Sequence, residues 1–142
     1  FMYELEENRM KKIKILIAHN NEEIRNKIAD KIKGLDYVEL VDTAVDGKET
    51  YNKIIESKPE VVFAKMNLDN MDSMEIMRKS KESLKDNVPI FNIITSDNVS
   101  DEYMKTAYNL MGRNLNTFVS EPINNIEIDN IMQGYKELKE NA

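Results

Sequence analysis

Short, nearly continuous apolar runs alternate along this chain with stretches whose apolar positions recur every three or four residues. Ile13, Ile15, Leu16, Ile17 and Ala18 form the first run. Val61 to Ala64 and Ile90 to Ile94 repeat it, each entered from a proline, Pro59 or Pro89. Runs of this kind predict strands buried on both faces. Val38 to Ala44 and Thr117 to Val119 are weaker strand candidates. Helical periods lie between them: Ile24, Ile28 and Ile32; Tyr51, Ile54 and Ile55; Met74 and Met77; Met104, Ala107, Tyr108 and Met111; and Ile128, Ile131, Met132, Tyr135 and Leu138.

The predicted helix starts carry one signature. Asn20 with Glu23, Asp46 with Glu49, Asp72 with Glu75 and Asn124 with Glu127 each read as Asx-x-x-Glu before an amphipathic stretch. A short side-chain oxygen there accepts from a free amide of the first turn, while the glutamate reaches back and favours the positive helix end. The fourth helix is expected to start at Ser100, with Asp101 and Glu102 in its first turn. Strands alternating with helices imply parallel pairing through right-handed crossovers. The predicted class is therefore α/β, a flavodoxin-like doubly wound (βα)5 fold with five parallel strands in order 2-1-3-4-5 and helices on both faces. Ligands in such sheets gather at the carboxyl ends of the strands, where this chain has His19 and Asn20, Lys65, Thr95 and Ser96, and Ser120 and Glu121.

Composition narrows the function classes. The 142 residues suit one domain, with 41% hydrophobic and 32% charged positions. No apolar run approaches the roughly 18–20 residues of a membrane span, so a membrane partner is not expected and the cytoplasm is the predicted location. Cysteine is absent, which removes disulfides and thiolate metal sites. The net charge of −6 argues against nucleic-acid binding by this segment, leaving DNA contact to a separate output domain if one exists. Only four glycines occur, without a phosphate-binding loop, which disfavours a nucleotide- or flavin-binding enzyme. Residues 1–10 read as a charged leader and 11–142 as the domain.

At the strand ends the sequence resembles the receiver domain of bacterial response regulators. Ile15-Leu16-Ile17-Ala18 and its following polar pair resemble the first strand and acidic pair. Pro59-Glu60-Val61-Val62-Phe63-Ala64 resembles the strand leading to the phospho-accepting aspartate. Met71-Asp72-Ser73-Met74-Glu75, Ile93-Ile94-Thr95-Ser96 and Phe118-Val119-Ser120-Glu121-Pro122 resemble the later motifs, in order. The resemblance implies a site where carboxylates hold a divalent cation, an aspartate takes the phosphoryl group, and a hydroxyl and a lysine stabilise its oxygens. Here the acidic pair is His19 and Asn20, the acceptor position holds Lys65, and the lysine position holds Glu121; only Thr95 keeps its role. The resemblance also assigns Phe118 the switch-aromatic position, implies a cis bond before Pro122, and makes the connection from Gly112 to Phe118 about two residues longer than usual.

Lysine cannot form the acyl phosphate, and magnesium gains little from an amide, an ammonium and an imidazole. The expectation is a pseudo-receiver, not an enzyme, with Mg²⁺ binding lost and with protein partners, including a homodimer through the helix 4–strand 5–helix 5 face. The alternative is a working receiver with an unusual acceptor, for which Asp69, Asp72 and Asp97 are candidates, although Asp72 reads better as a helix cap. The sign exchange at Lys65 and Glu121 suggests that these two pair as an ionic latch. His19 is either a proton switch or a polar filler, and the nine methionines read as core.

Overall fold

The computed structural model describes residues 11–96 and 98–141; the proposed leader and Asp97 lie outside the described residues. Five parallel strands, β1 (Ile13–Ala18), β2 (Val38–Ala44), β3 (Val61–Lys65), β4 (Ile90–Thr95) and β5 (Leu115–Ser120), line up in the order β2-β1-β3-β4-β5. Between and after them run α1 (Glu22–Lys33), α2 (Gly47–Ser57), α3 (Ser73–Leu84), α4 (Asp101–Met111) and α5 (Asn125–Glu140). The alternation of strand side chains explains the two layers. Leu16, Ala18, Val62, Ala64, Phe91 and Ile93 face α2, α3 and α4 through Ile54, Met77 and Met111. Ile13, Ile15, Ile17, Val61, Phe63 and Ile94 face α1 and α5 through Ile28, Ile32, Ile128 and Met132. Each fully buried side chain of this size contributes about 1.5–3 kcal/mol, so the two-sided burial dominates the fold's stability. Met74, Met77, Met111 and Met132 are core, as their spacing predicts.

The caps position the loops that carry the site. Asp46, Asp72 and Asn124 accept from the amides of Glu49, Glu75 and Glu127 at 2.8, 2.9 and 2.8 Å, and Ser100 accepts from Tyr103 at 3.1 Å. Two glutamates of the predicted boxes turn forward instead of back: Glu49 meets Lys53 at 2.9 Å and Glu75 meets Arg78 at 2.6 Å. The first box is displaced by one residue. Asn21, not Asn20, caps α1, accepting from the Ile24 amide at 3.0 Å. Asn20 is thereby free for other contacts.

The long connection after α4 also takes a different form from a loop. Gly112–Asn114 makes a 3₁₀ turn, and β5 begins at Leu115, two residues before the predicted strand. Phe91 pairs with Leu115 and Asn92 with Thr117, which leaves Asn116 as an extra residue in the strand. The surplus length is absorbed by a turn and a β-bulge.

At the opposite end of the sheet, α5 is tied to the entry of β3. Tyr135 donates its hydroxyl to Glu60 at 3.1 Å, and Lys139 meets the same carboxylate oxygen at 2.7 Å. Burial, and next the Glu60 charge, push the Tyr135 phenol well above its ordinary value of 10.0. A raised folded-state value means the contribution is intact below pH about 10 and lost as pH rises further, because the unfolded chain releases this proton first. Denaturant titrations from pH 8 to 11 should show stability falling above about pH 10, with a shallower fall in Tyr135→Phe.

Candidate functional site

The carboxyl ends of the strands bring the predicted residues together. His19 follows β1, and its amide donates to Ala44 O at 3.0 Å. Lys65 ends β3 opposite Ile94, Thr95 ends β4 opposite Ser120, and the Glu121 amide donates to Thr95 O at 2.8 Å. Thr95 is buried and Ser96 exposed. The bond between Glu121 and Pro122 is cis.

The ion pair between Lys65 and Glu121 is not made. Glu121 Oε1 lies 2.7 Å from His19 Nε2, and Lys65 Nζ instead donates to Asn20 Oδ1 at 3.0 Å. Two physical facts select this arrangement. Asn20 is released from capping, and the β5–α5 connection returns over the strand ends toward α1, burying Ile123 in the cluster that holds Ile28 and Ile32. That return carries Glu121 to His19.

His19 is buried, 1% exposed. Its Nδ1 accepts the Asn21 amide at 3.0 Å, so the lone pair sits on Nδ1 and the proton on Nε2. Nε2–H then donates to the Glu121 carboxylate, whose side chain is 19% exposed. Arg25 closes the group by donating from Nη1 to His19 O at 2.8 Å. Sequence reading misses Arg25 and Asn21. Both follow only once the cap of α1 is placed at Asn21, which sets the first turn and directs Arg25 back over the strand end.

On β5, Phe118 is half-buried under two tyrosines, with Tyr103 and Tyr108 edge-on at 6.2 and 5.9 Å between centroids. The Tyr103 hydroxyl lies 2.7 Å from Ser73 Oγ, which joins α4 to the first turn of α3. Burial, and then the charge of Asp72, raise the Tyr103 phenol above its ordinary value, although the bond to Ser73 opposes this. Asp72 caps α3 and Asp69 offers its backbone carbonyl to the Gly47 amide, so both serve the loop. Among the described residues, no three His, Cys, Asp or Glu side chains are grouped to hold a metal ion.

No protein-family model matches the chain. The REC domain of AraT, a response regulator from Geobacillus stearothermophilus, superposes with a TM-score of 0.74 over 91% of this chain and 96% of that one, at 24% identity. The response regulator domain of Thermotoga maritima CheB gives 0.67 over 92% and 93%, at 18% identity. The chain has the fold of a response-regulator receiver domain. In sequence, the chain is 27% identical over 113 residues to the protein-glutamate methylesterase/protein-glutamine glutaminase of Clostridium acetobutylicum. The match covers 80% of this chain and 32% of that protein, so the chain spans about a third of its relative's length. No helix among the described residues is long and apolar enough to cross a membrane.

Proposed function

We propose that this receiver serves two-component signalling as a protein-interaction module that works without phosphoryl transfer. The observation that carries the reading is the position at the end of β3, where Lys65 stands with its ammonium on Asn20. An ammonium cannot accept a phosphoryl group to form an acyl phosphate. The neighbouring donors also suit magnesium poorly. Glu121 is committed to His19, His19 uses both ring nitrogens, and Asn20 carries a cation on its oxygen, whereas Mg²⁺ requires hard, free oxygen ligands in octahedral array. The ion is expected not to bind, and no chemical step is assigned to it.

In this reading the His19–Glu121 contact and the Ser73–Tyr103 bond hold the strand ends and α4 in one arrangement, which phosphorylation would otherwise select. The output surface is α4, β5 and α5, where Tyr108 and Leu138 are exposed, and its partner is a protein, a second copy included. A cytoplasmic setting and DNA contact through a separate output domain complete the proposal. Methylesterase or glutaminase activity forms no part of it, since the match to that relative covers a third of its length.

Incubation with acetyl phosphate and Mg²⁺, followed by intact mass, tests the reading directly. No adduct is expected; a gain of about 80 Da, one phosphoryl group, would reject it in favour of a working receiver with an unusual acceptor.

A further inference from the structure

A second concavity lies away from the strand ends, between α5 and strands β4 and β5. It has a volume of about 410 Å³, within the range of small-ligand sites, and Val61, Ile131, Leu138, Asn92 and Gly134 form part of its lining. Two features of it have no use within the described residues.

The first is Asn92, fully buried on β4. Its Oδ1 accepts from the Asn116 amide at 2.9 Å, but its Nδ2 has no hydrogen-bond partner. Exchanging the two amide atoms would only move the unpaired position to oxygen, so one polar atom of Asn92 is orphaned in either orientation. A buried amide without a partner is costly and rare. The second is Gly134, in the middle of the 16-residue α5, where glycine disfavours helix. Among the described residues nothing lies within 4 Å of the position its Cβ would take, so no close approach among them requires it. Beside them the bulge sets Asn116, itself exposed, as the hydrogen-bond donor to Asn92.

Charge fixes the polarity of an occupant. Because α5 runs back against β5, Arg113 stands at one end of the groove and Glu127 at the other. Arg113 makes none of the ion pairs within 4 Å among the described residues. We infer that this groove binds a small aliphatic or aromatic carboxylate, its oxygens meeting Arg113 and the Asn92 amide and its apolar body lying over Gly134 between Ile131 and Leu138. Such a ligand would act on α5 and β5 directly, giving this face an input that does not pass through the strand ends. The inference is independent of whether the chain accepts phosphate.

A titration of the isotope-labelled chain with phenylacetate, followed by amide NMR, tests it. Saturable shifts are expected at the Gly134 backbone amide and the Asn92 and Asn116 side-chain amides, with none at His19. Gly134→Leu should fill the groove, raise the melting temperature and abolish those shifts. Asn92→Leu, which removes the orphaned amide without touching the rim, should weaken binding by about tenfold. Absence of saturation, or equal binding by Gly134→Leu, would overturn the inference and mark any shifts as weak surface association.

Discussion

Gly47→Ala is expected to destabilise the chain by about 3 kcal/mol or more, which lowers its melting temperature by roughly 6–12 °C for a domain of this size. Gly47 opens α2 immediately after its Asp46 cap, and its amide donates to Asp69 O at 2.9 Å. A Cβ at this position would stand 1.6 Å from the Met71 carbonyl oxygen and 2.5 Å from its carbon. Those atoms are backbone, so no side-chain rotation relieves the clash. The β3–α3 loop would have to move, taking with it the Asp72 cap of α3 and the bond from Asn70 to Asp46 at 3.1 Å. The reason for this glycine is the close approach of two loops. Gly134→Ala, where the same added atom meets open space, is the internal control and should stabilise by about 1 kcal/mol through helix propensity. Thermal and urea denaturation of both variants decides the matter: an unchanged midpoint for Gly47→Ala would mean the two loops are not packed in solution as described.

The architecture was legible because it is written redundantly. The apolar runs carry strand burial, the caps carry helix starts, and both agree on a parallel alternation. Where the reading slipped, a local signal had two solutions. Asn20 and Asn21 are both capable caps, and the helix takes Asn21. The glutamates at the third helical position could reach back to the cap or forward to a cation, and Lys53 and Arg78 draw two of them forward. Among the residues at the strand ends, the pairing was not legible. Counting strands sets Glu121 two strands from Lys65 and three from His19, at about 4.8 Å per strand, which favours lysine. The count ignores the path of the β5–α5 connection. Docking of α5 against α1, marked by the Lys31–Asp129 pair at 2.8 Å, draws that connection back across the sheet and reverses the preference. Tertiary packing of two helices distant in sequence has no local signature.

That reversal yields the sharper test of the site. His19→Ala is expected to cost about 2–4 kcal/mol, whereas Lys65→Ala should stay within about 0.5 kcal/mol of the parent chain. Removing the imidazole leaves a buried gap at a 1% exposed position, strips the Asn21 amide of its acceptor at the start of α1, and deprives Glu121 of its donor. Lys65 loses only one hydrogen bond to the exposed Asn20, of a kind that contributes little in water. Had the latch joined Lys65 to Glu121, the order of the two effects would invert. Glu121 variants separate hydrogen bonding from charge. With the proton on His19 Nε2, Glu121→Gln keeps an acceptor oxygen and should be milder than Glu121→Ala, which leaves a buried N–H unpaired at about 1–3 kcal/mol. Chemical denaturation of these four variants ranks them. A Lys65→Ala loss that matches or exceeds that of His19→Ala would mean that the strand ends are held by the lysine after all. The proposed interaction module would then need a different account of how it keeps one conformation without phosphate.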